Sequence, residues 1–103
     1  MEKQGYVYIL ASKRNGTLYT GVTSDLVRRV WEHRNGAVGG FTKEYNVKLL
    51  VHVECFTCIE DAIRREKAIK KWYRKWKLEL IEKDNPGWQD IWPDIAGSPL
   101  SRG

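Results

Sequence analysis

The sequence predicts a single α+β domain built on a three-stranded, mostly antiparallel sheet flanked by helices, in the order strand, strand, helix, strand, helix, helix. Three observations carry that expectation. Residues 6–10 and 18–22 are rich in aromatic and β-branched side chains and enclose the turn signal Asn15-Gly16. Residues 47–54 alternate apolar and polar side chains, as a half-buried strand does. Beyond Thr57 the apolar residues fall three and four apart, the spacing of one helix face. A chain of 103 residues has room for one such domain and one modest core.

In chain order, the first two segments form a β-hairpin. Thr23, Ser24 or Asp25 then caps a short helix over 26–34, which Asn35-Gly36 ends. Residues 36–40 are glycine-rich but lack the G-x-x-x-x-G-K-[ST] spacing of a phosphate-binding loop, so they read as a flexible connection. In the third strand, Val47, Leu49, Val51 and Val53 are expected on one face, with Lys48, His52 and Glu54 on the other. Thr57-x-x-Glu60 has the form of a capping box, and Ile59, Ala62, Ile63, Ile69, Trp72 and Tyr73 set the apolar face of a helix running to about Trp72. A third helix over 74–83 stops at Asn85-Pro86-Gly87, after which Trp88 and Trp92 are expected to fold back onto the body. The domain is expected to span 5–92, and residues 96–103, with glycine, serine and proline and little to bury, to be a disordered tail.

The formal charge of +5 and a pI near 9.3 favour a polyanionic partner, because Lys and Arg that neutralise phosphates release condensed counterions. The first residues lack the apolar stretch of a signal peptide, and no run reaches the roughly 18 apolar residues of a membrane span, so a cytoplasmic protein without membrane contact is expected. Cys55 and Cys58 form one C-x-x-C pair, too few ligands for a four-coordinate zinc site. A redox pair is the alternative to two small, partly buried apolar side chains in a reducing compartment, and the latter is favoured.

Four features carry possible chemistry. An even-length hairpin loop puts Tyr8 and Tyr19 on one face of the sheet, either as two directed phenols or as ordinary cover for an apolar face. Arg29 and His33 are four apart on the first helix, near the stripe set by Leu26 and Val30, and so can meet a phosphate or simply face solvent. Glu66 falls where helical spacing calls for an apolar side chain. A buried, unpaired carboxylate is costly, so Glu66 must meet a cation, a metal ion or a wet cleft, with a salt bridge to an arginine as the plain alternative. Around it runs a basic stretch including Lys67, Lys70, Lys71 and Arg74, which, with Arg28, can follow a phosphate backbone or form a solvated face. Trp72 and Trp76, one turn apart, either stack on unpaired bases or fill the core.

Tyr6-Val7-Tyr8, then Tyr19-Thr20-Gly21 eleven residues on, followed by Arg29, His33 and Glu66, resemble the GIY-YIG nuclease superfamily. The stretch YVYILASKRNGTLYTGVTSDLVRRVWEHRNG is similar to that family's core, and REKAIKKW with the later NPGW is similar to its small single-domain bacterial members. The first triplet departs from Gly-Ile-Tyr and the second reads Tyr-Thr-Gly, but both keep the tyrosine. The resemblance implies an endonuclease that hydrolyses phosphodiester bonds in DNA, in repair or recombination, with RNA a further candidate substrate and no protein partner indicated. It implies one Mg²⁺ or Mn²⁺ ion held by Glu66, with Arg29 neutralising charge on the phosphate. Tyr8 acts as base, assisted by His33 and positive charge that favour phenolate, and Tyr19 orients water or phosphate. The family's asparagine about a dozen residues after the glutamate is replaced by Leu78, and Asn85 substitutes for it only if the chain folds back. The alternative is a nucleic-acid-binding module of the same fold without catalysis.

Overall fold

The computed structural model describes residues 3–37 and 39–96. Strands β1 (Gly5–Ala11) and β2 (Leu18–Thr23) form the expected hairpin, with Asn15 at φ 57° in its turn. Helix α1 (Leu26–Arg34) follows, then a single-turn helix α2 (Phe41–Glu44), strand β3 (Leu49–Phe56), helices α3 (Ile59–Lys70) and α4 (Arg74–Asp84), and a terminal turn α5 (Trp92–Ile95). The sheet is antiparallel with order β2-β1-β3, so β1 is the central strand. The α+β class and the six principal elements are as expected. The turns α2 and α5 are additions that four-residue segments do not announce. Except for Ala96, the residues expected to form a tail lie outside those described.

Both faces of the sheet are covered. Val7, Ile9 and Ala11 pack under α3 and α4 with Ala62, Ile69, Ile81 and Trp88, while Tyr8 and Leu10 pack on the other side with Leu26, Val30, Val47 and Leu50. The expected single-face alternation of β3 fails for a definite reason. Ile9 pairs with His52 and Leu10 with Leu50, so Val51 is an extra residue in a β-bulge. The bulge resets the parity: Leu49 and Val51 join the α3/α4 side, and Val47 and Val53 join the α1 side. Trp88 is buried on the first side and donates from Nε1 to Glu82 at 2.6 Å, and Trp92 packs on the second beneath the Arg34 guanidinium, as the expected fold-back requires.

Four local expectations need correction. The capping box does not form: Cys58 is the N-cap of α3, and Glu60 accepts from the Cys58 thiol at 2.8 Å instead of closing on the backbone. That hydrogen bond raises the Cys58 pKa, which keeps the thiol protonated and argues against a redox role, while Cys55 is exposed rather than partly buried. Helix α3 stops at Lys70, so Tyr73 becomes the N-cap of α4 and is exposed instead of continuing the apolar face. The Asn85 side chain is engaged by its own turn and by β3. Asn85 ends α4, donates its amide to Val51 O and Gln89 O, and accepts from Gln89 N.

An ionic clamp fixes α3 to β3. Arg65 donates to both oxygens of Glu54 at 2.8 and 3.0 Å, His52 approaches Glu54 at 2.9 Å, and the guanidinium lies over Trp72. Burial pushes the Glu54 carboxyl up, but hydrogen bonds from His52 and Arg65 and the Arg65 charge outweigh it and hold the pKa at about 2. Because the folded pKa lies below the reference 4.5, the contribution is complete above about pH 5 and is lost as pH falls towards 2. Glu54→Gln should therefore cost on the order of 2 kcal/mol at pH 7 and much less at pH 3. Urea unfolding at the two pH values checks this, and an equal loss at both would contradict it.

Candidate active site

The hairpin register aims two phenols at the α1 side of the sheet. Tyr8 pairs with Gly21 and Leu10 with Tyr19, so the two tyrosines share a face. Gly21 is required by what crosses it. A Cβ there would run into the Tyr8 hydroxyl and lie 3.0 Å from Tyr19 Cε2, so only glycine lets the Tyr8 ring lie across β2.

His33 reaches the same place from the inner face of α1, where Leu26 and Val30 are also buried. Its ring centroid is 5.8 Å from that of Tyr8 and 5.3 Å from that of Tyr19, and the two tyrosine rings are 6.3 Å apart. Tyr8 Oη lies 3.0 Å from His33 Nε2, and His33 Nδ1 lies 2.9 Å from Thr42 Oγ1. All three side chains are buried, so Thr42, His33 and Tyr8 form a closed hydrogen-bonded row. We assign the tautomer in which the Tyr8 hydroxyl donates to Nε2 and Nδ1–H donates to Thr42 Oγ1, the arrangement in which both contacts of the imidazole are made and the phenol hands its proton inward.

Burial, then the neighbouring Arg29 charge, lower the His33 pKa against a smaller opposing pull from Glu32, so the imidazole is neutral at pH 7 and can accept a proton. The Tyr8 pKa is raised, chiefly by burial and next by Tyr19. Arg29 pulls it down without prevailing, and Glu66 adds a further upward push. The expectation that neighbouring positive charge favours a phenolate is thus not met by these groups: Tyr8 is a neutral phenol directed at a neutral imidazole.

Arg29 lies at the rim and is steadied by Glu32, whose two carboxylate oxygens accept from Arg29 Nε at 3.2 Å and Arg28 Nε at 3.3 Å. Glu66 is 7% exposed on the inner face of α3, and its charge is felt at Tyr8. Its ion-pair partner is a lysine of its own helix, Lys70, at 2.5 Å, and not an arginine. Lys67 and Lys71 are exposed along α3. Arg74 is engaged, donating from Nη2 to Asn15 O and Gly16 O at 2.7 Å and so tying α4 to the hairpin turn. Trp72 divides its surroundings between the core and the Arg65 cation, while Trp76 is half exposed.

Tyr8, Tyr19, Arg29 and His33 therefore converge, Glu66 stands within electrostatic reach of them, and Asn85 is remote in role. Sequence reasoning missed Thr42 and Glu32. Thr42 follows a glycine-rich loop with no periodicity to mark it. Glu32 was legible as the i,i+4 and i,i+3 partner of Arg28 and Arg29.

Among the described residues no three His, Cys, Asp or Glu side chains cluster to hold a metal ion. The donor set suits only a cation that keeps most of its waters. Mg²⁺ does so, commonly taking one or two protein carboxylates, and Glu66 is a buried acid whose present partner is on a half-exposed, flexible stem.

Comparison with known proteins finds similarity along most of the chain. Residues 4–79 match the GIY-YIG catalytic domain. A UPF0213 protein of Syntrophus aciditrophicus is 42% identical over 84 residues, covering 81% of this chain and 94% of that protein. One from Staphylococcus saprophyticus is 40% identical over 76 residues, covering 74% and 92%. The solution NMR structure of the UPF0213 protein BH0048 from Bacillus halodurans superposes with a TM-score of 0.54 at 30% identity, covering 95% of this chain and 97% of that one. Among the described residues no helix is long and apolar enough to cross a membrane.

Thr42→Val removes the acceptor that fixes the imidazole and should cost about 1–2 kcal/mol of stability. The Nδ1–H tautomer of His33 should lose its dominance in ¹⁵N NMR spectra. A spectrum unchanged from the parent would show that Thr42 does not orient the ring.

Proposed function

Because the chain belongs to the GIY-YIG family, a nuclease superfamily acting on nucleic acid, we propose that it is a metal-dependent endonuclease that hydrolyses phosphodiester bonds in DNA. The observation that carries this reading is the clustering of Tyr8, Tyr19 and His33, with the charges of Arg29 and the buried acid Glu66 both acting on the Tyr8 phenol.

In this reading the base is a pair. Tyr8 is sealed from solvent in the free protein, so in this reading bound substrate carries the attacking water against Tyr8 Oη. That water loses a proton to Oη as the phenol passes its own to His33 Nε2, so Tyr8 begins and ends neutral and His33 becomes the imidazolium. The pair removes the difficulty that a phenol with a raised pKa is by itself a poor base at neutral pH. The water oxygen bonds to phosphorus, the phosphorus–oxygen bond to the leaving sugar breaks with its electrons on that oxygen, and solvent supplies the proton that neutralises it. Arg29 offers its guanidinium to the phosphoryl oxygens, where negative charge builds, and Glu32 keeps that group from swinging away. Tyr19, whose ring packs against both Tyr8 and His33, orients the phosphate beside the pair. Glu66 would hold one Mg²⁺ or Mn²⁺ ion, with water and phosphate completing its shell. The chemistry supplied there when bound is stabilisation of charge on the scissile phosphate and leaving oxygen. Lys67, Lys70, Lys71 and Arg28 would contribute sequence-independent attraction for the backbone. Repair or recombination is the setting such an activity suits.

One observation favours a second reading, a binding module without catalysis: Lys70 already neutralises Glu66, and Leu78 stands where the family's asparagine is expected.

Glu66→Ala and Arg29→Ala should each reduce Mg²⁺- or Mn²⁺-dependent nicking of plasmid and branched DNA by a factor of about 10² or more while the far-ultraviolet spectrum is retained. Equal cleavage by the parent and Glu66→Ala would sink the hydrolase reading. Salt-sensitive binding with no cleavage under any divalent ion would select the second one.

A further inference from the structure

A hollow of about 280 Å³ adjoins the catalytic cluster along the free edge of β2, lined by Leu18, Tyr19, Thr20, Phe41, Lys70 and Lys77. Tyr19 belongs to both places, so the hollow continues the proposed active site rather than standing apart from it.

Its walls differ in character. On one side the aromatic cluster extends outward: the Tyr19 and Phe41 centroids are 6.3 Å apart with planes inclined at 31°, and Phe41 stands 4.9 Å from Tyr45. Phe41, the first residue of α2, and Tyr45, its C-cap, are 45% and 51% exposed, an unusual placement for two large rings side by side. On the other side are two lysines from different helices, Lys70 of α3 and Lys77 of α4.

An apolar ligand would leave the Lys77 ammonium without a counter-charge, Lys70 alone having Glu66 at 2.5 Å, and an inorganic phosphate would leave the rings unused. A nucleotide satisfies both, with a π-face for Phe41 and an anionic phosphate for the lysines. Only an unpaired nucleotide qualifies, because a base within a duplex has both faces occupied by its stacked neighbours. We propose that this hollow holds one unpaired nucleotide of the strand being cut, beside the scissile phosphate, its base against Phe41 and its phosphate on Lys70 and Lys77. The proposal rests on the nuclease reading and adds a selection for single-stranded or locally opened substrate.

The test uses the full chain carrying Glu66→Gln, so that bound strands are not cut, with fluorescent oligo-dT, oligo-U and a blunt duplex of equal length as probes. Adding Phe41→Ala should weaken binding of the single strands at least about tenfold and that of the duplex less than about threefold, and Phe41→Trp should restore it. Phe41 is exposed, so the fold should survive, and thermal unfolding of each variant verifies this. Tighter binding of oligo-dT or of oligo-U supports the proposal either way and identifies the sugar. An equal loss for duplex and single strand overturns it, and so does no loss for either, which would leave the exposed rings to a protein partner. The two readings fail separately. A parent protein that never cuts but binds strands through Phe41 loses hydrolysis and keeps the hollow. A protein that cuts single strands equally well with Phe41→Ala keeps hydrolysis and loses the hollow.

Discussion

The central strand β1 is buried on both faces, and Tyr8 at its middle has no exposed surface. A phenol there cannot turn to water for its hydrogen bonds, so the protein must supply them. His33 from α1 does so, Thr42 from α2 supports His33, and Gly21 on β2 yields the space the ring occupies. Elements separated along the chain are thus bound to one hydroxyl group. The same enclosure keeps the phenol and imidazole neutral, which suits passing a proton along a row better than holding a charge.

Charge is placed around this neutral centre. Arg29 is tethered by Glu32 at one rim, and Glu66 on α3 takes the ammonium of Lys70 from its own helix. In both cases a charged group is held by a neighbour one turn away, so the holding is local and the group stays available to a ligand. The Glu54–Arg65–His52 cluster contrasts with these. It joins α3 to β3, leaves the acid fully committed, and is structural.

The aromatic rings continue from the buried row to the surface through Tyr19, Phe41 and Tyr45. Ring stacking offers affinity without reading sequence, and lysines across the hollow offer attraction without reading sequence. A surface of that kind has the means to tell the state of a strand and none to tell its letters.

Much of this was legible in the sequence because the decisive signals are local. Asn15-Gly16 set the hairpin and an even loop, and with it the common face of Tyr8 and Tyr19. Helical spacing put Glu66 and His33 inward, and the recurrence of Tyr8, Tyr19, Arg29, His33 and Glu66 pointed to the family. The signals failed where a long-range contact overrides a local rule. The bulge at Val51 reverses the parity of β3 beyond it, and Asn85 serves its own turn, engaged by Val51 O and by Gln89. Thr42 and Phe41 gain their roles only when a featureless loop brings α2 against α1 and β2. The sequence by itself determined that Tyr8, Tyr19, His33 and Glu66 share inward-facing positions, since that follows from period and turn length, but not the facing of β3 beyond its bulge or of Tyr73. Tertiary structure alone decided which of those side chains meet, how burial sets their protonation, and that an aromatic and two lysines from three segments share one hollow. Proximity between distant segments is a property of packing, which no local pattern encodes.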